Sequence, residues 1–212
     1  MPKAIIFDCW STLFYKDAPE PASFSKRLGV EKTYELEKVI ERNLMLDKIK
    51  DVKEAFRKII SELDIKPNER MVDDLALILC DKLVNCNKPY PNTLEVLNEL
   101  KNRKYRLGMI SNAIDIVFEP LRKKYNFNEL FDAVVPSFEA GLLKPDPKIF
   151  EMCLEKLGIG KDEALMVGDS LQDDIEAAQS FGIKALMLDN RNRHPNYSPR
   201  ITSIKDVFSY LQ

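Results

Sequence analysis

The sequence predicts an α/β protein: a three-layer core built on a parallel sheet, interrupted near its N-terminus by an all-helical insertion. Short apolar runs ending in polar residues alternate with helical stretches across residues 1–14 and 89–212. Residues 15–88 break that alternation and carry helical periodicity without a convincing strand. A chain of 212 residues suits one core domain carrying a smaller insertion.

Residues 4–7 form an apolar run that stops at Asp8, the pattern of a parallel strand buried on both faces. Composition changes around Pro19 and Pro21. Leu36, Val39, Ile40, Leu44 and Leu46 then make a helical stripe, and Val52, Ala55, Phe56, Ile59, Ile60 and Leu63 a cleaner one. Met71, Leu75, Ile78, Leu79 and Leu83 make a third, between Pro67 and Cys86. After Pro89-Tyr90-Pro91 the βα rhythm returns. A helix is expected over 93–101 and a strand over 105–110 that ends at Ser111-Asn112. A helix follows over 116–125, with Pro120 in its middle, then a strand over 133–136. The helix over 148–157 is stopped by Gly158, and the strand over 164–167 ends at Gly168-Asp169. The helix over 174–181 is closed by Gly182; a strand over 184–188 and a helix over 204–211 complete the chain.

Composition excludes several function classes. With 32 basic and 34 acidic residues, the net charge of −2 offers no basic excess for a nucleic-acid backbone or an anionic membrane. No run approaches the ~18 apolar residues of a membrane span, and the opening MPKAIIFDCW is too short in apolar residues for a signal peptide. A cytoplasmic protein is expected, with Cys9, Cys80, Cys86 and Cys153 as free thiols, since no CxxC pair is present. The single histidine, His194, rules out a multi-histidine zinc site and leaves any Ser-His-Asp triad one possible member.

In open α/β sheets ligands bind beyond the carboxyl ends of the strands. Those ends here carry Asp8, Ser111-Asn112 and Asp169-Ser170, and Lys144 lies in the loop after another strand. Carboxylate, hydroxyl and ammonium groups at four strand ends suit metal and phosphate chemistry.

These residues stand in four segments, IIFDCWSTLF, LGMISNA, EAGLLKPDPKIF and MVGDSLQDDIEAA. In that order and spacing they resemble the haloacid dehalogenase superfamily of hydrolases, in the branch of phosphoglycolate phosphatases and 2-haloacid dehalogenases. The resemblance covers residues 1–14 and 89–212. It implies a Rossmann-like catalytic core, makes residues 15–88 a helical cap, and implies Mg²⁺ as cofactor and a small phosphorylated or other anionic metabolite as substrate. It makes Asp8 the nucleophile that forms a covalent intermediate, with Thr12 fixing its loop and Ser11 in place of the more usual Gly, tolerable at negative φ. Lys144 would neutralise Asp8 and the transferring group. Ser111 and Asn112 would contact a phosphoryl group, Ser111 doubling as a helix N-cap. Asp8, Asp169 and the backbone carbonyl of Trp10 would hold Mg²⁺; of the adjacent Asp173 and Asp174, either of which could support the metal, the Ile175-to-Ala178 spacing favours Asp174 and makes Asp173 a carboxylate at a helix N-terminus.

One position departs from the pattern. Where the family's phosphatases carry a second aspartate, which protonates the leaving group and then activates water, this chain has Trp10. An indole N–H does not titrate near neutrality, and loss of a general acid/base costs roughly 10²–10⁴-fold in rate. The dehalogenase branch also carries an aromatic there and needs no metal, because a halide leaves unprotonated. Gly168-Asp169-Ser170, in contrast, keeps the metal-binding form. The expectation is therefore an Mg²⁺-dependent phosphatase of atypical chemistry. The alternatives are a dehalogenase or a non-catalytic phosphate- or Mg²⁺-binding protein. Trp10 is expected to pack against the cap and Cys9 to be structural. Phe14 and Tyr15 are placed to gate the site. Arg27, Arg42 and Arg57 are within the cap's reach of an anion, solvated helix faces being the plainer account of all three.

Overall fold

The computed structural model describes residues 2–15, 24–31, 33–84 and 87–211. Its elements run β1 (Ala4–Phe7), β2 (Phe14–Tyr15), α1 (Phe24–Leu28), α2 (Tyr34–Leu44), α3 (Val52–Glu62), α4 (Glu69–Val84), β3 (Lys88–Pro89), α5 (Thr93–Asn102), β4 (Arg106–Ser111), α6 (Asp115–Lys124), α7 (Phe127–Leu130), β5 (Ala133–Pro136), α8 (Ser137–Ala140), α9 (Pro147–Leu157), β6 (Ala164–Gly168), α10 (Ala177–Phe181), β7 (Lys184–Leu188), β8 (Arg200–Ile201) and α11 (Val207–Tyr210). The last is preceded by a 3₁₀ turn over Ile204–Asp206, which splits the helix expected over 204–211. Cys86 and the side chain of Leu83 lie outside the described residues, as do residues 16–23 with Pro19 and Pro21.

Six strands form one sheet in the order β5-β4-β1-β6-β7-β8, and every pairing in it is parallel. Alternation along β1 explains the three layers: Ile5 and Phe7 join one buried cluster, Ala4 and Ile6 the other. The chain builds outward from β1 to β4 and β5, then returns to add β6 on its other side. Strand order therefore reverses at β1, and the crevice beyond its carboxyl end is where such a sheet receives a ligand.

The insertion carries a third cluster of its own, formed by the apolar stripes of α1–α4. Ile114 and Val117 of the core belong to that cluster, so the insertion docks on the start of α6. Trp10 packs against both this cluster and the core beneath. The chain enters and leaves the insertion through a two-stranded antiparallel ribbon, Phe14 opposite Pro89 and Tyr15 opposite Lys88. The strand-free expectation for 15–88 thus fails at its two end residues. Two paired residues are too short to show a period of two. Helix α6 runs through Pro120, whose missing N–H removes one hydrogen bond without ending the helix.

Candidate active site

Three adjacent strands bring Asp8, Ser111 and Asp169 to one end of the sheet. Asp8 follows β1, its backbone N–H bonded to the Val167 carbonyl at 3.0 Å; Ser111 closes β4; Asp169 follows β6. Lys144 enters from the loop between α8 and α9. Its Nζ donates to Asp8 Oδ1 at 2.6 Å and to Asp174 Oδ1 at 2.5 Å, with all three side chains buried. Carboxylate oxygens of Asp8, Asp169 and Asp174 lie within 4.8 Å of one another.

Asp174 reaches this cluster because the chain after β6 does not enter an α-helix directly. Leu171–Glu176 form a π-helical turn that precedes α10, where an α-helix over 174–181 was expected. The amides of Asp174 and Ile175 both donate to the Ser170 carbonyl, and the Ser170 amide donates back to Asp174 Oδ2 at 3.0 Å. Such turns are frequent at functional sites because they re-aim a side chain. Gly168 makes room: a Cβ there would stand 2.3 Å from Asp174 Oδ2. Asp173, next in sequence, points the other way and pairs with Lys38 of α2 at 2.9 Å.

Asn112 clamps the Lys144 loop. The Lys144 amide donates to Asn112 Oδ1 at 2.8 Å, and Asn112 Nδ2 donates to the Lys144 carbonyl at 3.1 Å. Thr12 is buried, its hydroxyl 3.4 Å from Asp169 Oδ1. The Ser111 hydroxyl is buried beside the Cys9 thiol with no nitrogen or oxygen partner, and a ligand acceptor at the strand end would supply one. Ser11 adopts φ +64°, so the expectation of a negative φ in place of glycine is overturned. The turn needs a left-handed residue, and Asn190 holds it by donating to the Ser11 carbonyl at 3.0 Å.

Burial, and then the charges of Asp174 and Asp169 against the pull of Lys144, raises Asp8 from 3.8 to about 8. Asp169 is raised for the same first reason, desolvation, with Asp174 next and Arg193 opposing. Lys144 is held above the usual lysine range: burial pushes it down, but Asp174 and Asp8 outweigh that. Three carboxylates this close together, with Lys144 on two of them and Arg193 on the third, offer a hard divalent cation several oxygen ligands, so the residues present fit Mg²⁺.

A cleft of about 470 Å³ opens onto this cluster between core and insertion. Trp10, Leu36, Ile40, Met45, Ile114 and Val117 give it apolar walls, and Ser11, Asn112, Asp169, Glu37 and Glu41 line it as well. Lys38 ties Glu41 (2.7 Å) to Asp173 across the seam.

Other expected residues lie elsewhere. Arg27, Arg42 and Arg57 pair within the insertion, with Asp74, Glu62 and Glu69, and none lines the cleft. Phe14 is fully buried against Tyr125 and Phe127 and gates nothing, and Tyr15 packs on Tyr90 at 4.9 Å between ring centres. His194 takes part in the loop after β7 by donating its backbone N–H to Asp189. That same loop supplies Arg193, whose guanidinium pairs with Asp169 and which sequence reasoning missed. The strand-end rule, extended to β7, points to it: Asp189 and Asn190 immediately follow Leu188. Lys38 and Glu41 had no such signal, because their place at the site depends on how the insertion docks.

A family model for haloacid dehalogenase-like hydrolases matches residues 2–182. A glyceraldehyde 3-phosphate phosphatase of Methanothermobacter thermautotrophicus is 37% identical over 103 residues, 49% of this chain and 46% of that protein, so this match spans about half of each. The protein of the same name from Methanopyrus kandleri is 27% identical over 209 residues, covering 94% of this chain and 89% of its own. Among solved structures, a HAD phosphatase from Thermococcus onnurineus superposes with a TM-score of 0.66 at 24% identity, over 99% of this chain and 97% of that one, and shares the fold. Among the described residues, no helix is long and apolar enough to cross a membrane.

Proposed function

Because the chain belongs to the haloacid dehalogenase-like hydrolases, we propose that it is an Mg²⁺-dependent phosphatase of a small phosphorylated metabolite, with Asp8 as nucleophile. One observation carries the reading: Asp8, Asp169 and Asp174 cluster at the switch point of the sheet, with the Lys144 ammonium bridging Asp8 and Asp174. A site for halide displacement alone has no need of three carboxylates within 4.8 Å. The phosphatase names of the two relatives support the substrate class.

Each residue then has a task. Lys144 lowers the proton affinity of Asp8 against the burial that raises it, and offsets the charge of the incoming phosphoryl group. The free Ser111 hydroxyl donates to a phosphoryl oxygen. Asn112 fixes the loop that aims Lys144 and so acts through it. Mg²⁺, when bound, would be held by Asp8, Asp169 and the Trp10 carbonyl and would supply charge stabilisation at the phosphoryl oxygens. Asp174 supports that site from behind, its oxygens already engaged by Lys144 and the Ser170 amide. Asp8 attacks phosphorus, and water then cleaves the aspartyl-phosphate.

Trp10 favours a second reading, hydrolysis of a 2-haloacid, because an aromatic in place of the acid suffices for a leaving halide. A panel of phosphorylated metabolites and haloacids, with and without Mg²⁺, tests both. Phosphate release that needs Mg²⁺ and is lost in Asp8→Asn is expected. Halide release insensitive to a chelator would transfer the case to the second reading. Binding of Mg²⁺ and phosphate without any turnover would favour a non-catalytic protein.

A further inference from the structure

Cleaving an alkyl phosphate expels an alkoxide, which needs a proton as the P–O bond breaks. Trp10 has none to give, and Asp8, Asp169 and Asp174 are committed to the nucleophile, Lys144 and the cation site. Two other carboxylates line the cleft. Glu37 is exposed at its mouth, whereas Glu41 is largely covered, its side chain 17% exposed. Resting on the phosphatase reading, we infer that Glu41, carried on the cap helix α2, is the catalytic acid that protonates the leaving group in place of the residue at position 10.

Geometry supports this assignment. Glu41 lines the same cleft as Trp10 and Asp169, reaching it from the cap helix α2. Its Oε2 is 3.4 Å from Asn112 Nδ2, and Asn112 is the residue that clamps the Lys144 loop. The carboxyl therefore sits next to the charged cluster without belonging to it. The groups facing it are Lys38 on its own helix, Asp173 on the π turn, and Asn112 and Lys144 from the core. Burial raises its pKa above the usual glutamate range, with Lys38 pulling the other way and Asp173 reinforcing the rise. The apolar walls suit a substrate whose alcohol part is small and hydrophobic rather than heavily hydroxylated.

The step balances as follows. An Asp8 oxygen forms a bond to phosphorus while the bond from phosphorus to the ester oxygen breaks. The electron pair stays on that oxygen, which takes the Glu41 proton and departs as the neutral alcohol. Water then attacks the aspartyl-phosphate, Glu41 recovers a proton from it, and Asp8 leaves as carboxylate with inorganic phosphate released.

The test compares first-turnover leaving-group release from butyl phosphate and 4-nitrophenyl phosphate by rapid quench, in the Mg²⁺-loaded full chain. Nitrophenolate needs little protonation and butoxide needs much. In Glu41→Gln the ratio of alkyl to aryl release is expected to fall about 100-fold. A ratio unchanged within about threefold in an active enzyme overturns the assignment and leaves the phosphatase reading intact. A wild type inert to both esters, and indistinguishable from Asp8→Asn, overturns that reading and this inference with it. Lys38→Met keeps the carboxyl and guards against a folding defect. Without the ammonium the pKa of Glu41 rises, so the alkaline limb of butyl phosphate cleavage should move to higher pH relative to the aryl profile. A limb that stays in place counts against Glu41 equally.

Discussion

Asn112 and Lys144 grip each other through two hydrogen bonds, the Lys144 amide to Asn112 Oδ1 at 2.8 Å and Asn112 Nδ2 to the Lys144 carbonyl at 3.1 Å. The pairing copies a rung of a β-ladder with a side-chain amide. It fixes the backbone of the one lysine whose ammonium must lie between Asp8 and Asp174.

Asn112→Ala should therefore behave as a positioning defect. Removing both bonds leaves a partly buried amide and carbonyl unpaired, at a cost of about 1–3 kcal/mol. Turnover should fall at least about tenfold, and because Lys144 itself remains, kcat should suffer more than KM. Steady-state kinetics and urea unfolding of the same variant check both numbers; unchanged kcat would mean that the loop holds itself.

Gly168→Ala tests the close approach of Asp174. The added methyl would stand 2.3 Å from Asp174 Oδ2, so either the carboxylate or β6 must move. Mg²⁺ affinity should drop about 10–100-fold, the range seen when a support behind a metal site is disturbed. Isothermal titration measures it directly, and a wild-type affinity would place the metal away from Asp174.

Ser11 offers a prediction of the opposite sign. A non-glycine residue at φ +64° carries about 1–3 kcal/mol of strain, while glycine there loses roughly 0.5–1 kcal/mol through the entropy of the unfolded chain. Ser11→Gly should thus be neutral or stabilise the protein by about 1 kcal/mol, and Ser11→Val should destabilise it. Denaturant midpoints of the two variants decide the matter; equal midpoints would remove the strain from the account.

Stability should also respond to pH and metal together. Asp8 titrates near 3.8 when unfolded and is raised to about 8 in the fold, chiefly by burial. Between those values the native protein holds a proton that the unfolded chain has released, so this group's contribution weakens as pH rises from about 4 to 8. Chelated protein should melt at progressively lower temperature from pH 5 to pH 8. Mg²⁺ competes with that proton and should raise the melting temperature more at pH 8 than at pH 5. A melting temperature that climbs across this interval without Mg²⁺ would contradict the electrostatics of the site.

Much of this architecture is legible in the amino-acid sequence alone. Each core strand is a short apolar run with a polar residue behind it, so β1, β4 and β6 announced both themselves and the placement of Asp8, Ser111 and Asp169. Elements of two to four residues, such as the Phe14–Tyr15 ribbon, α7, α8 and β8, stay hidden because they contain less than one full period. The choice between Asp173 and Asp174 turned on a π turn, which shifts a helical face by one residue and has no pattern of its own. Ser11 reversed its expectation because a turn's φ is set by its hydrogen bonds, here Ser11 N–H to the Phe14 carbonyl and Asn190 to the Ser11 carbonyl. Glu41 and Lys38 could not be reached at all, since a surface face of α2 becomes a cleft wall only when the helices dock.

The seam that Trp10 occupies also furnishes an optical instrument. It is the chain's single tryptophan, and it touches the core cluster, the cap cluster and the cleft. Emission excited at the red edge of indole absorption therefore comes from one place, the joint between the two clusters. Cap movement or ligand entry would change the polarity around that ring, so its spectrum would report either event with no label attached.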